Sequence, residues 1–191
     1  MKTHNIMIDI ETLGCAPGSV IMSTGAVYFQ PGWVPTLDDA DDFVFYGEIS
    51  QTSCIAAGLV CDEATRQWWA GVTDLTARGV VERTAAAGAK PLAYVLGQFA
   101  QWLRKHRDAG FDVWARGPSF DLALLASAYR AIGVELPWRY QDERCVRTVA
   151  SLPMAAPFES KGECHHALMD ALAQARQVAE TLGRLKDGGQ S

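Results

Sequence analysis

Residues Asn5 to Gly14 read Asn-Ile-Met-Ile-Asp-Ile-Glu-Thr-Leu-Gly, and no other stretch restricts the fold as strongly. Ile6, Ile8 and Ile10 alternate with Met7, Asp9 and Glu11, the period of a β-strand whose two faces have different jobs. Asp9 and Glu11 therefore share one face of a core strand. Two carboxylates placed this way repel each other and lose hydration, at a cost of roughly several kcal/mol per buried ion. A counter-charge is needed, yet no Lys or Arg stands between Lys2 and Arg66. Magnesium or manganese suits such hard oxygen donors. Acid-x-acid pairs also arise by chance in strands, so the pattern needs support from elsewhere in the chain. Gly14 supplies some, because it permits a turn and close approach of a ligand to the backbone, which leaves the acids at a strand end beside an open site.

The 191 residues, 49% hydrophobic and 20% charged, suit one globular domain, expected over residues 1–186 with 187–191 as a flexible tail. A net charge of −5 argues against a generic electrostatic nucleic-acid binder. Sixteen of the 17 Lys and Arg residues nevertheless lie from Arg66 onward, so any phosphate-holding surface comes from the later part of the chain. The five cysteines, Cys15, Cys54, Cys61, Cys145 and Cys164, are odd in number and form no Cys-x-x-Cys pair, which fits reduced thiols in a cytoplasm. Cys164-His165-His166 lacks the paired ligand spacing of a zinc site. No signal-peptide pattern opens the chain, and no apolar run approaches the ~20 residues that span a bilayer. A soluble cytoplasmic protein is expected.

Ser19 to Phe29 and, after the acidic Asp38 to Asp42 loop, Phe43 to Ile49 carry strand patterns. With the first strand they predict an antiparallel meander. Asp62 is placed to cap a helix through Trp69, Ala77 to Arg83 forms another, and Pro91 to His106 a longer one with Leu92, Val95, Leu96, Phe99 and Leu103 on one side. Phe111 to Ala115 returns to strand. After the Arg116-Gly117-Pro118 turn, Ser119 caps a helix to about Ile132 whose third residue is Asp121, either an ordinary first-turn acid or part of a site. Trp138 to Asp142 reads as a short strand and Arg144 to Leu152 as a short helix. A loop from Pro153 to Glu163 precedes the last helix, about His166 to Leu185, with Leu168, Leu172, Ala175, Val178, Ala179 and Leu182 as its apolar stripe; Asp187 to Ser191 should fray. Asp170 lies one turn into that helix. His166, four residues earlier, shares its face, whereas His165 sits at the helix start or in the loop, so spacing alone favours His166 as its partner.

Taken together, Asp-x-Glu-Thr-x-Gly at 9–14, Trp-Ala-Arg-Gly-Pro-Ser-Phe-Asp at 114–121 and His165-x-x-x-x-Asp170 resemble the DEDDh class of 3′-to-5′ exonucleases. Trp68-Trp69, Pro137-Trp138-Arg139 and Arg144-x-x-Arg147-Thr148 are more specifically similar to the phage exonuclease A and mycobacterial-type exoribonuclease branch. The likeness runs from residue 5 to about 180. It implies an α/β, ribonuclease H-like fold: a mixed central sheet, antiparallel meander first and parallel strands after, flanked by helices. It also implies Asp9, Glu11, Asp121 and Asp170 as ligands of two Mg2+ or Mn2+ ions roughly 3.5–4 Å apart, and His165 as general base, overriding the spacing that favours His166. Cys145 stands where that branch carries an acid, so a contact there is missing or redistributed.

The implied reaction is hydrolysis of the terminal phosphodiester at the 3′ end of single-stranded RNA or DNA, releasing a nucleoside 5′-monophosphate. Substrate contacts are expected from Thr12, Leu13 and Gly14 beside the acids, from Phe120 beside Asp121, and from Trp69. Neighbouring helical side chains point about 100° apart, so one of Trp68 and Trp69 should be core. Trp68 shares its side with Ala64 and Trp69 with Thr65, which makes Trp69 the expected exposed ring. Two other functions remain open: a magnesium phosphodiesterase on very short oligonucleotides or small nucleotides, and a catalytically silent nucleic-acid-binding module. No motif identifies a partner for a 2′-hydroxyl that would favour RNA. Relatives in the resemblance class are often homodimers.

Overall fold

The fold is that of a computed structural model, which describes residues 2–37, 40–106, 110–159 and 165–188. Cys164, part of the acidic 38–42 loop, part of the 153–163 loop and the last residues of the expected tail lie outside the described residues. Five strands, β1 (His4–Thr12), β2 (Ile21–Phe29), β3 (Val44–Glu48), β4 (Phe111–Ala115) and β5 (Glu143–Cys145), form one sheet in the order β3-β2-β1-β4-β5. β1 and β2 pair antiparallel, as do β2 and β3, while β4 runs parallel to β1 and β5 parallel to β4. The antiparallel meander followed by parallel strands is the expected arrangement.

The alternation in β1 sorts its side chains onto two cores. Ile6, Ile8 and Ile10 enter the larger one, shared with α5 (Leu92–Lys105) and α6 (Asp121–Ala131). Each buried isoleucine contributes about 1.5–3 kcal/mol, an upper estimate because unfolded chains already bury some apolar surface. Met7 enters the smaller core with Val27, Phe29 and Trp114, beneath Ala171, Leu172, Ala175, Val178, Ala179 and Leu182 of α8 (Ala167–Gly188). Asp9 and Glu11 follow Met7 on that face, so the start of α8 comes to lie over them.

Two glycines let the layers close. Gly25 is the β2 partner of Asp9, and a Cβ there would fall within 2.5 Å of the Ala167 carbonyl oxygen. The first turn of α8 therefore rests directly on the sheet backbone. On the opposite face, a Cβ on Gly47 would meet Val95 Cγ1 of α5 at 2.5 Å. Farther along α8, Gln177 Nε2 donates to the Ala156 carbonyl (3.0 Å) and the Ala156 N–H donates to Thr181 Oγ1 (2.9 Å), tying the preceding loop to the helix.

Sequence periodicity locates most elements, and local chemistry explains the exceptions. Asp62 caps α3 (Glu63–Gly71) by accepting from the Thr65 N–H at 3.0 Å, as expected, and Asp74 caps α4 (Leu75–Ala85). Ser119 makes no cap: the Phe120 and Asp121 N–H groups both donate to the Gly117 carbonyl, so the Gly117-Pro118 turn starts the helix and Asp121 is its first residue. Trp138 to Asp142 is not a strand. Arg139 holds Asp142 three residues on (2.9 Å), which curls Tyr140–Asp142 into a 3-10 turn. The strand is instead β5, so Arg144 is a strand residue and the short helix that follows is Val146–Ala150. Asp187 and Gly188, expected in the frayed tail, are helical residues, since α8 continues to Gly188.

Replacing Gly25 with Ala should lower the unfolding free energy by about 1–3 kcal/mol, the usual cost of overpacking. Gly97→Ala is the control: that glycine lies in α5 with nothing within 4 Å of an added Cβ. It should stabilise by about 0.5–1 kcal/mol. Urea unfolding of both variants gives the two signs; equal midpoints would mean that Gly25 is not needed to seat α8.

Candidate active site

Asp9 and Glu11 on β1 and Asp170 in the first turn of α8 each bring a carboxylate oxygen to within 4.8 Å of the others. Asp121, buried at the start of α6, lies outside this trio but close enough to raise the Asp9 pKa. Among the described residues no Lys, Arg or His forms an ion pair with any of the four. Burial first, then Asp121, Glu11 and Asp170, hold the Asp9 carboxyl well above the ordinary range. Burial, with Asp170 and Asp121, pushes Glu11 up to about 8. Burial pushes Asp121 up to about 7 against hydrogen bonds from backbone at Asp121, Ile10 and Gly117 and the attraction of Arg147. Asp170 is also raised by burial, opposed by backbone at His166 and by both nearby histidines. Such a group cannot be fully ionised at neutral pH without added positive charge. Clustered hard oxygen donors with no ion-paired cation among the described residues fit divalent Mg2+ or Mn2+ well.

The two histidines diverge. The His166 N–H donates to Asp170 Oδ2 (3.2 Å) while the Asp170 N–H donates to the His166 carbonyl (3.0 Å), a reciprocal pair that starts α8. The His166 ring stacks on Tyr46 at 4.6 Å; Tyr46 donates to Glu48 Oε1 (2.9 Å), and Arg83 grips Glu48 through Nε and Nη2. That ring is pinned in a structural stack. His165 adopts φ of 64°, in the left-handed region, and its ring meets the Trp68 ring edge-to-face at 4.9 Å and the Trp69 ring at 6.0 Å.

The tryptophans reverse the sequence expectation. Trp69 is 5% exposed and its Nε1 donates to the Thr12 carbonyl at 2.8 Å, whereas Trp68 is 51% exposed. A register irregularity between Glu11 and Thr12 accompanies this indole contact at the strand end. Ala64 is exposed and Thr65 only partly buried, so neither marked a core side of α3. Among the other expected contacts, Thr12 Oγ1 donates to the Gly14 carbonyl (2.7 Å), and Leu13 is buried with its N–H and carbonyl bound to Val20 and Asp62. A Cβ on Gly14 would lie 2.9 Å from the Ser19 Cβ, so the Ser19 side chain itself calls for glycine there. Phe120 is partly buried against the larger core. Leu13 and Trp69 also line an open cavity of about 450 Å³ with Arg66 and Arg78.

Next to Cys145, Arg144 pairs with buried Asp112 at 3.0 Å. Sequence reading also passed over Gln174, whose Nε2 donates to Asp9 Oδ1 at 2.8 Å. Its signal was a polar residue one turn beyond Asp170, amid the inward apolar stripe of the last helix.

A family model described as the 3'-5' exoribonuclease Rv2179c-like domain matches residues 4–182. No curated protein matches the chain. Among solved structures, the nuclease domain of 3'hExo, a DEDDh family member bound to rAMP, superposes with a TM-score of 0.58 at 14% identity over 98% of this chain and 94% of its own. S. pombe Pop2p in a Mg2+ and Mn2+ bound form gives 0.58 at 14% over 96% and 84%. The ExoI/SSB-Ct complex gives 0.57 at 12% over 99% of this chain and 42% of ExoI. At these identities the likeness is one of fold, and the fold is ribonuclease H-like, as expected.

With chelator present, the raised carboxylates hold protons in the native state that the unfolded chain releases near pH 4. Their stabilising contribution is present below that value and lost as pH rises through the folded pKa values, about 7 for Asp121 and about 8 for Glu11. The melting temperature of chelated protein should therefore fall between pH 5.5 and 8, and Asp9→Asn should raise it at pH 8. Differential scanning calorimetry with EDTA checks both; a melting temperature that rises with pH would contradict the repulsion.

Proposed function

The chain belongs to the Rv2179c-like 3'-5' exoribonuclease domain family, and from that premise we propose that it shortens single-stranded RNA or DNA from the 3′ end, using two Mg2+ or Mn2+ ions and releasing nucleoside 5′-monophosphates. It is a 3′-to-5′ exonuclease of DEDDh type. The observation that carries the metal-dependent reading is the trio of Asp9, Glu11 and Asp170 oxygens within 4.8 Å, beside buried Asp121 and without an ion-paired protein cation among the described residues. Asp9, Glu11 and Asp170 would hold one ion, and Asp121, with Asp9 shared, the other. When bound, the ions supply the charge that makes water a nucleophile at neutral pH and steadies the leaving oxygen.

His165 accepts the proton of the attacking water, whose oxygen joins the terminal phosphorus as the bond to the preceding 3′ oxygen breaks. The leaving oxygen takes up a proton, and a nucleoside 5′-monophosphate departs. Histidine is the side chain most often used for such proton transfer. Trp68, exposed and touching His165, takes the role first assigned to Trp69: it offers a face on which the terminal base stacks. A cytoplasmic setting and a homodimer complete the proposal. Solution mass by light scattering tests the latter.

A 5′-labelled oligonucleotide series, with and without Mn2+, tests the function. A ladder shortened from the 3′ end together with monophosphates supports the exonuclease. Cleavage confined to dimers and trimers points to a small-substrate phosphodiesterase, binding without shortening points to a silent module, and turnover persisting in excess chelator would sink the metal requirement. His165→Ala should reduce kcat about 10²–10⁴-fold, while His166→Ala chiefly lowers the melting temperature; exchanged outcomes would make His166 the base. Trp68→Ala should weaken oligonucleotide binding by about 1–3 kcal/mol with little change in melting temperature. Trp69→Ala should cost about 3–5 kcal/mol of stability, as loss of a buried tryptophan does. Matching effects in calorimetry and in binding per folded molecule would reduce both rings to packing.

A further inference from the structure

Gln174 is 3% exposed and lies on α8 one turn beyond Asp170, amid Leu172, Ala175 and Val178. Its Nε2 donates to Asp9 Oδ1 at 2.8 Å, while its Oε1 is buried without a hydrogen-bond partner among the described residues. An amide with one end unsatisfied is costly in such a stripe, where leucine fills similar space without burying polar atoms. What leucine cannot do is orient Asp9. Only the NH2 end of the amide can face an ionised carboxylate, because its oxygen end would repel it. Gln177, three residues farther along α8, is also buried, but its Nε2 donates to the Ala156 carbonyl and so secures a loop.

We propose that Gln174 is a positioning residue for divalent-cation binding. Its donated bond fixes the rotation of the Asp9 carboxylate, occupies one lone pair of Oδ1, and leaves Oδ2 and the other Oδ1 lone pair for the cations. Its free Oε1 accepts from a donor that a hydrated cation brings with it. The inference rests on the metal-dependent reading of the site, and the two can fail separately.

The test is Mn2+ titration of the metal-stripped full chain, with free Mn2+ read by electron paramagnetic resonance, alongside melting curves in EDTA. Gln174→Leu should weaken Mn2+ binding about 10–100-fold, the usual effect of losing a partner that orients a metal ligand, without losing melting temperature in EDTA. Gln177→Leu should do the opposite, melting earlier in EDTA while binding Mn2+ as the wild type does. Gln174→Met serves in place of the leucine variant if that one fails to fold. Wild-type affinity in the Gln174 variants, or equal weakening in the Gln174 and Gln177 variants, would overturn the positioning role. A wild-type chain that binds no Mn2+ would overturn the metal-dependent reading and this inference with it.

Discussion

Mutual repulsion among Asp9, Glu11, Asp121 and Asp170 is the constraint around which the molecule is arranged. Elsewhere several acids are neutralised locally: Asp112 by Lys2 and Arg144, Asp142 by Lys2 and Arg139, Glu48 by Arg83, and Glu180 by Arg184. Arg139 and Lys2 together hold the Asp142 carboxyl down to about 2. The four site acids have no such ion pairs among the described residues, and burial raises all four. A fold that spends its cations on distant acids while crowding these together stores unfavourable energy where a divalent ion can release it.

Holding like charges together requires stiff supports, and each acid has one. β1 is the middle strand, paired with β4 as far as Met7 and with β2 onward through the acids, so Asp9 and Glu11 cannot move apart without breaking their pairing to Gly25 and Ser23. Asp170 is set by the first turn of α8, which Gly25 admits to the sheet surface and the paired His166 and Asp170 backbone contacts fix in phase. Asp121 is held by backbone hydrogen bonds at the beginning of α6. Side-chain packing under α8 and α6 therefore offsets electrostatic cost at the site, and stability and metal binding draw on the same contacts.

How much of this was legible depended on whether the signal was local. Alternation in β1 fixed the face of Asp9 and Glu11, and periodic stripes located α5 and α8, because burial demands those periods wherever the strand or helix packs. The resemblance supplied the assembly of the four acids and the fold that joins them. What escaped were short elements, competing local caps and contacts between distant segments. α2 (Gln51–Ala56) is too short for a stripe and depends on the Ser50 cap. Ser119 lost the capping role to the Gly117 carbonyl. Trp68 and Trp69 could not be told apart without the Thr12 carbonyl that receives the Trp69 indole, and Gln174 gained its meaning only when Asp9 arrived 165 residues away in sequence.

The same distinction explains why two adjacent histidines end with different duties. His166 is bound into the fold twice, through its backbone at Asp170 and its ring on Tyr46, whose hydroxyl reaches the Glu48–Arg83 pair. A side chain so restrained can steady α8 but has little freedom to approach a reacting water. His165 precedes the helix in a left-handed conformation, with its ring edge-to-face against the Trp68 and Trp69 indoles, the first of which is exposed. Left-handed backbone at a non-glycine residue costs of order 1–3 kcal/mol and persists where surrounding structure enforces it. Here the start of α8 lies on one side and the Trp68-Trp69 corner on the other, so the strained backbone and the ring beside the exposed indole belong to the same residue, the one proposed as general base.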